Sequence, residues 1–215
     1  MIGKINLPFF IKSFLINLLL LREHIEIKIA KTEEEKNKAI SLVFDIYKKE
    51  GYIDLNFFND FNDFKDEFDD NSVYFLAFLK NNLIGALRII LPSKIGFPSE
   101  KFFNYVSLPV DKKDVAEISR LAILNNHRKN IITLGLFKKC LDYSKNKGLK
   151  YWCMVVPEKL KSHFEKFKIK FYKFNLDESK NQNQEAIRPH RFYFEKNQPK
   201  LYLIELREIE TYFIL

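Results

Sequence analysis

An apolar stretch in the second half of the chain carries three polar side chains that could do chemistry. The run from Ala116 to Ile123 has the composition of a buried strand. It nevertheless contains Glu117, Ser119 and Arg120. A charge in such a strand is costly unless it is paired or faces a cleft, where a carboxylate can accept a proton and a guanidinium can bind an anion. The simpler alternative is a structural ion pair between Glu117 and Arg120.

The spacing within this strand decides whether these side chains can act together. Residues three apart on a regular strand point to opposite faces, which would separate Glu117 from Arg120. A β-bulge between them would turn both toward one cleft. We therefore predict an interrupted strand, with a bulge or a divergence from the strand expected at Tyr151–Val156, that leaves a slot open to solvent.

Helices and strands surround this strand, and their order predicts one α/β unit. A capping box at Thr32–Glu35 begins a helix that Gly51 ends. The pair Asn81-Asn82 tolerates the left-handed turn of a hairpin. In chain order, the other predicted elements are a strand at Glu26–Ala30, hairpin strands at Val73–Leu79 and Leu83–Leu91, a short helix at 97–105, a helix at 130–147, a helix after Pro157, and strands at Ile169–Phe174 and Leu201–Leu206.

Length and composition limit the classes of protein to which the chain can belong. Its 215 residues, 47% hydrophobic and 30% charged, suit one folded domain. The net charge of +8 favours acidic partners, but the lysines are scattered and no zinc-finger spacing or Arg-rich helix argues for nucleic acid. Cys140 and Cys153 are interpreted as reduced core thiols of a cytoplasmic protein. The four histidines show no metal-binding spacing, so we expect no metal.

The beginning of the chain is strongly apolar and has two alternative locations. The run Leu7–Leu21 is too short and interrupted to cross a bilayer, which needs about 20 apolar residues. It also lacks the small residues of a signal-peptide cleavage site. Flanked by Lys4, Lys12 and Arg22, it fits a helix on a membrane surface, which would make the protein peripheral on the inner membrane. It fits equally well a helix docked on the protein's own core.

Four short motifs occur in a fixed order along the chain. They are Tyr47-Lys48-Lys49-Glu50-Gly51-Tyr52, Asp66-Glu67-Phe68-Asp69, Gly85-Ala86-Leu87-Arg88 and Glu117-Ile118-Ser119-Arg120. On these motifs, roughly residues 26 to 206 resemble one branch of the Gcn5-related N-acyltransferase superfamily. That branch comprises the N-acyl amino acid synthases and exosortase-associated acyltransferases, relatives of the acyl-homoserine-lactone synthases. The chain departs from the branch at Val43, where related enzymes often have arginine, and before Arg188-Pro189, where a glycine is missing.

The resemblance implies a fold and an activity. The implied fold is a central mixed, mostly antiparallel sheet flanked by helices, with the apolar arm at residues 1–25 and the N-acyltransferase domain at residues 26–215. The implied reaction moves a medium or long acyl chain from the phosphopantetheine of acyl carrier protein to the amine of an amino acid or a similar small metabolite. The alternatives are an acetyl-CoA-dependent N-acetyltransferase of the same fold and a catalytically idle module that binds acyl carrier protein or a membrane.

The resemblance also assigns roles to individual residues. Glu117 is the implied base that takes a proton from the attacking amine. Arg88 and Arg120 should converge with Asp66 and Asp69 at the cleft, because a guanidinium grips carboxylates in a bidentate manner. The implied catalytic residues are Glu117, Ser119 and Arg120, the substrate-binding residues Arg88, Asp66, Asp69 and Arg188, and the donor-binding residues Leu121, Ile123, Arg128 and Asn130.

The segment after the Glu117 strand bears on the acyl donor. CoA-dependent members of the fold cradle pyrophosphate with a Gly-rich turn that opens a helix. Here the segment from Arg128 to Thr133 has no glycine, and the next one is Gly135. This favours acyl carrier protein over acyl-CoA as the donor, and an acidic carrier would be attracted to a basic enzyme.

Overall fold

The computed structural model describes residues 9–103, 105–107, 110–128, 130–165, 169–176 and 183–212. The helices in this part of the chain are α1 (Phe9–Arg22), α2 (Glu33–Glu50), α3 (Pro98–Phe102), α4 (Asn130–Asn146), α5 (Glu158–Glu165), α6 (Gln184–Ile187), α7 (Arg191–Asn197) and α8 (Leu206–Tyr212). The strands are β1 (Ile25–Ile29), β2 (Ser72–Leu79), β3 (Asn82–Ile90), β4 (Tyr105–Ser107), β5 (Val115–Ile123), β6 (Tyr151–Val156), β7 (Tyr172–Lys173), β8 (Asn175–Leu176) and β9 (Lys200–Glu205).

A seven-stranded sheet forms the central layer, in the order β1-β2-β3-β5-β6-β9-β7. Its pairs are antiparallel apart from β5 and β6, which run parallel. Helices α1 and α4 pack on one face of this sheet, and α2 packs on the other. The predicted mixed, mostly antiparallel sheet with flanking helices is therefore confirmed.

Local sequence signals account for helix α2 and for the hairpin between β2 and β3. The Thr32 hydroxyl accepts a hydrogen bond from the Glu35 amide at 3.1 Å, and Gly51 ends α2 in the left-handed conformation at φ 67°. In the hairpin between β2 and β3, Lys80 and Asn81 both take positive φ angles, of 47° and 70°. Two consecutive left-handed residues match the right-handed twist of the flanking strands. The capped helix and the hairpin were predicted correctly, but the left-handed pair is Lys80-Asn81 and not the predicted Asn81-Asn82, because Asn82 begins β3.

The last third of the chain differs from its predicted elements. The strand predicted at Ile169–Phe174 is reduced to the two residues of β7, although Ile169 and Phe174 are buried as core residues. Apolar side chains can fill a core without a strand ladder, so their pattern alone did not determine the backbone. The strand predicted to end at Leu206 ends one residue earlier, because Leu206 begins α8. Helices α6, α7 and α8 were not predicted.

The first helix docks on the protein's own core. Ile16 and Leu20 are buried in the cluster that contains the apolar residues of α4. A Cβ at Gly135 of α4 would lie 3.0 Å from both Leu20 and Ile27, so this glycine allows the close approach of α1. The alternative in which this helix docks on the protein's own core is thus confirmed for the side that carries Ile16 and Leu20. From residue 14 of α1 onward, where the structure describes the side chains, large apolar groups stay exposed at Phe14, Leu15, Leu18, Leu19 and Leu21.

The described helices lack a membrane span. None of them combines the length and hydropathy that a bilayer crossing requires. Lys4, which was predicted to flank the apolar arm, lies outside the described residues.

Candidate active site

Strand β5 carries the predicted bulge. Its pairing with β3 shifts so that Arg120 and Leu121 together oppose the single residue Leu87. Arg120 takes the left-handed conformation, at φ 51°, which a non-glycine residue adopts only at a cost. The extra residue turns Arg120 to the face that Glu117 already occupies and turns Leu121 to the opposite one. The bulge therefore brings the carboxylate and the guanidinium to one side of the sheet, as predicted.

Strands β5 and β6 also diverge. Their parallel pairing ends at Ile118 and Met154, although β5 continues to Ile123 and β6 to Val156. A cavity of about 200 Å³ lies beside this divergence. Its lining is Tyr47, Tyr52, Phe58, Phe64, Lys65, Asp66, Arg88, Pro98, Phe102, Glu117, Ile118, Ser119, Arg120, Val155, His190, Tyr193 and Phe194. The predicted slot is therefore present.

Glu117 is a buried carboxyl group on the wall of this cavity. Its side chain is 2% exposed, and its Oε2 accepts a hydrogen bond from the Ser99 amide of α3 at 3.1 Å. Burial raises the pKa of Glu117 to about 7, against the opposing effects of Ser99 and of the Arg88 charge. A carboxyl group with this pKa exchanges a proton readily near neutral pH, which is the property of a general acid or base.

Arg88 of β3 joins two loop carboxylates to β5. Its Nη1 donates to both oxygens of Asp66, at 2.8 and 2.9 Å, and to Asp69 at 2.8 Å. Its Nε donates to the Ser119 hydroxyl at 2.9 Å. Ser119 therefore orients a guanidinium that is itself 2% exposed.

Arg120 binds the same loop from the bulge. It donates to Asp66 at 2.9 Å and to Asp69 at 3.0 and 3.2 Å. It also donates to the Phe64 carbonyl and to the Tyr74 hydroxyl, both at 2.6 Å. The predicted convergence of two arginines and two aspartates is confirmed. Each guanidinium is already bound by carboxylates, so the pairs largely neutralise each other.

The electrostatics of this cluster follow from its burial. Burial acts to raise the pKa of Asp69, but the Arg120 and Arg88 charges outweigh it and lower the pKa overall. Burial raises the pKa of Tyr74 to about 12, so its hydroxyl stays protonated and donates to Asp69 at 2.7 Å. At neutral pH the cluster is therefore a set of fixed charges, and the neutral Tyr74 hydroxyl links Arg120 to Asp69 by hydrogen bonds.

The remaining predicted site residues lie away from the cavity wall. Leu121 and Ile123 join the core cluster on the α4 side, so that contact with a donor at these positions would involve their backbone. Arg128 donates to Glu50 at 2.6 Å and bridges the segment before α4 to the end of α2. Asn130 is the first residue of α4. Arg188 is exposed, and its guanidinium lies over Phe57 at 5.3 Å instead of lining the cavity.

Several residues of the site were not predicted from the sequence. Tyr74 reads as an ordinary strand residue, and Ser99 contacts Glu117 through its backbone, which no side-chain pattern reveals. His190 lines the cavity two residues after the predicted Arg188. The Arg-Pro pair pointed to this segment through Arg188, whose side chain lies outside the cavity lining.

Both cysteines are buried and free, as predicted. Burial raises the pKa of Cys140 and of Cys153, so both remain thiols, including Cys153 at 3.9 Å from Glu117. Among the described residues, no group of His, Cys, Asp and Glu side chains is arranged to hold a metal ion.

Comparison of the whole structure with solved structures identifies the fold. FeeM, an N-acyl amino acid synthase from uncultured soil microbes, superposes with a TM-score of 0.57 at 15% identity over 86% of this chain and 91% of FeeM. BjaI, a CoA-dependent acyl-homoserine lactone synthase, gives 0.63 at 16% identity over 88% and 87%. A GNAT-family acetyltransferase from Staphylococcus aureus gives 0.50 at 12% identity over 84% and 99%. The superpositions show a shared fold, and at such low sequence identity they show the fold alone.

Sequence comparison identifies the family. A search of curated protein sequences found no match. The family model of the N-acyl amino acid synthase FeeM, in contrast, matches residues 38–169, which is more than half of the chain and includes the cluster and the bulge. With the bulged strand, the diverging strands and the buried glutamate in place, the chain belongs to the FeeM family of N-acyl amino acid synthases and is an acyltransferase.

Proposed function

We propose that this acyltransferase moves a medium or long acyl chain from the phosphopantetheine of acyl carrier protein to the amine of an amino acid or a similar small metabolite. The observation that carries the proposal is the position of Glu117. Its carboxyl group has a pKa of about 7 and lies on a cavity wall beside the point where β5 and β6 diverge. An idle binding module has no need for a buried carboxyl group in this state.

Glu117 can act as the base of this reaction. An amine is mostly protonated at neutral pH, and its nitrogen attacks only after it loses a proton. The Glu117 carboxylate accepts that proton, the nitrogen bonds to the thioester carbonyl carbon, and the carbonyl oxygen becomes negative. When the carbon–sulfur bond breaks, the nitrogen gives up its second proton, the departing thiolate takes up that proton, and the amide forms. Backbone N–H groups at the interrupted edge of β5 are the proposed donors to the negative oxygen.

The charged cluster supports the base and shapes the acceptor site. Arg88 and Arg120 are bound by Asp66 and Asp69, so we assign them to holding the loop against the sheet and to setting the field of the cavity. Asp66 is the cluster carboxylate that lines the cavity, with a side chain 28% exposed. It is therefore placed to attract a protonated amine. The substrate role predicted for Arg188 gains no geometric support.

Two features favour a carrier-protein donor. The segment from Arg128 to Thr133 has no glycine with which to cradle pyrophosphate. The net charge of +8 favours an acidic partner. The resemblance to CoA-dependent BjaI is the observation that keeps acyl-CoA as the second candidate donor.

We further propose that α1 rests on a membrane surface. Its buried side docks on α4, while its exposed side presents apolar groups such as Phe14, Leu18 and Leu21. Such a helix binds a bilayer interface through the apolar area that it buries there. The arm at residues 1–25 would then hold the transferase domain at residues 26–215 on the inner membrane.

Product analysis tests the proposed reaction. The purified protein is incubated with acyl carrier protein or CoA carrying chains of different length, together with a panel of amino acids, and the products are identified by mass spectrometry. We expect N-acyl amino acids to form from long-chain carrier thioesters. Acetylation from acetyl-CoA without long-chain products would instead support the N-acetyltransferase alternative, and the absence of any transfer would support the binding module.

A further inference from the structure

A half-buried histidine lines the cavity and has no role in the proposed proton transfer. The rings of Phe58, Phe64 and Phe102 surround His190, with centroids at 5.5, 6.3 and 6.0 Å from its own. Three aromatic neighbours hold the imidazole in one orientation. A phenylalanine would fill such an aromatic environment at least as well, so packing alone does not explain a polar ring here.

The backbone on either side of His190 is held in place. The carbonyl of Pro189 accepts a hydrogen bond from the Asp54 amide at 2.9 Å. The guanidinium of Arg191 pairs with the Asp54 carboxylate at 3.0 Å, and that carboxylate is 7% exposed. The segment is thus joined to the loop that also supplies Phe58, and the imidazole has a fixed position on the cavity wall.

His190 is one of the residues that line the cavity. Among the described residues, its ring contacts phenylalanine rings and neither ring nitrogen forms a hydrogen bond to a described group. They are also absent from the polar atoms that are sealed from solvent without a partner. A neutral imidazole offers one N–H donor and one acceptor, and leaving them unused inside a protein costs free energy. A ligand in the cavity would satisfy them.

The surrounding charges select the kind of group that binds there. Burial lowers the pKa of His190 to about 4, and the Arg120 charge adds to this more than the Asp66 charge opposes it. The imidazole is therefore neutral at pH 7 and experiences a net positive potential from the arginine side of the cluster. A positive potential favours an anionic ligand group, to which the imidazole N–H can donate.

We propose that His190 donates a hydrogen bond to the carboxylate of the acceptor and so selects amino acids over simple amines. This inference rests on the proposed function, and it adds a specificity-determining residue to the site. With Asp66 near the ammonium group and His190 at the carboxylate, the cavity would hold the two charged ends of an amino acid at different points of its wall.

The test compares two acceptors that differ only in the carboxylate. One is the amino acid that the wild-type enzyme acylates best, and the other is the amine formed by its decarboxylation. In His190→Phe, we expect kcat/KM for the amino acid to fall about tenfold to hundredfold, mainly through KM, because a hydrogen bond to a charged group is lost. With the amine, kcat/KM should change less than about threefold. His190→Asn retains a donor and should recover part of the selectivity.

The outcomes separate this role from a structural one and from the proposed function. Thermal melting establishes whether His190→Phe is folded, and His190→Leu repeats the comparison if it is not. An equal loss with both acceptors, or no loss with either, contradicts the role of His190. A wild-type enzyme that acylates no amino acid from any donor contradicts the proposed function instead.

Discussion

At the scale of single residues, the site depends on the carboxyl group of Glu117, whose pKa is raised by burial and lowered by hydrogen bonding. Burial favours the neutral form of Glu117, while the Ser99 amide and the Arg88 charge favour the ionised form. The balance leaves a pKa of about 7, so both forms are populated at neutral pH. The same residue in a solvated loop would be ionised throughout this range and would be a weaker base.

Removing the proton acceptor should abolish most of the activity. Glu117→Gln keeps the shape of the side chain and an oxygen for the Ser99 amide, but glutamine cannot accept a proton. We expect turnover to fall about 100-fold or more, with the fold retained. Steady-state kinetics and circular dichroism measure the two effects, and Glu195→Gln, at an exposed position of α7, is the matched control. Near-wild-type turnover in Glu117→Gln would contradict the assignment of the base.

The same substitution should stabilise the protein at high pH. The pKa of Glu117 is about 7 in the folded protein and 4.5 ordinarily, so the folded state binds the extra proton between these values. The free energy of unfolding therefore falls as the pH rises through this window. Glu117→Gln removes this loss, and we expect it to be more stable than wild type by up to roughly 3 kcal/mol at pH 8.

Denaturant unfolding at two pH values checks this expectation. At pH 4 the carboxyl group is largely protonated in both states, so the two proteins should differ little. The outcome that contradicts this expectation is an equal difference in the free energy of unfolding between wild type and Glu117→Gln at pH 4 and at pH 8. It would show that folding does not shift the ionisation of Glu117, and the proposed base would lose its physical basis.

At the scale of elements, the two arginines hold an irregular loop against the sheet. The loop from residue 51 to residue 71 contains no helix or strand before its last three residues. Phe64 and Phe68 of this loop are buried at 4% and 2% exposure, and the Phe64 carbonyl accepts a hydrogen bond from Arg120. The ion pairs therefore set the position of the loop that forms one wall of the cavity.

Breaking one of these pairs should loosen the loop. In Asp69→Asn, the two arginines keep their charge in a buried site and lose a carboxylate partner. We expect a loss of roughly 3 kcal/mol or more of folding free energy, with faster proteolysis in residues 51–71. The neighbouring Asp70 is exposed, and Asp70→Asn should change stability by less than about 0.5 kcal/mol. Equal effects of the two substitutions would show that the cluster is not structural.

The sequence was sufficient to predict elements whose signals are local. Thr32 marks the beginning of α2 and Gly51 marks its end. Both could be predicted because a hydroxyl cap and a left-handed glycine are properties of single residues. The bulge in β5 could also be anticipated, since Glu117 and Arg120 needed one face. Its exact form, with a positive φ at Arg120, could not, because arginine has no intrinsic preference for that conformation.

Features that depend on distant packing could not be read from the sequence. His190 reaches the cavity in a segment that Asp54, far earlier in the chain, holds through Pro189 and Arg191. Ser99 holds Glu117 through a backbone amide, which is independent of the side chain at that position. The prediction of a strand at Ile169–Phe174 was wrong for a related reason. Its buried residues pack in the core, but only two residues of the segment pair as a β-strand.

At the scale of the whole molecule, the sheet separates the candidate active site from the helix that docks on the opposite face. The cavity and α2 lie on one face, while α4 and the docked helix α1 lie on the other. Gly135 is central to the second arrangement, because it lets Leu20 and Ile27 approach α4 closely. The helix therefore has an inner side that the fold needs and an outer side that it does not use.

This division makes the proposed membrane contact testable without disturbing the core. The triple substitution Phe14→Ser, Leu18→Ser and Leu21→Ser changes exposed side chains and leaves the buried Ile16 and Leu20 in place. We expect the variant to stop co-sedimenting with anionic vesicles, because binding scales with the apolar area buried at the interface, while its melting temperature stays close to that of wild type. The equivalent change at an exposed apolar residue elsewhere, Ile95→Ser, should leave vesicle binding intact. Deletion of residues 1–22 should lower the melting temperature, since it also removes Ile16 and Leu20 from the core. Vesicle binding that survives the triple substitution would reject the membrane role of α1 and leave it with its docking role alone.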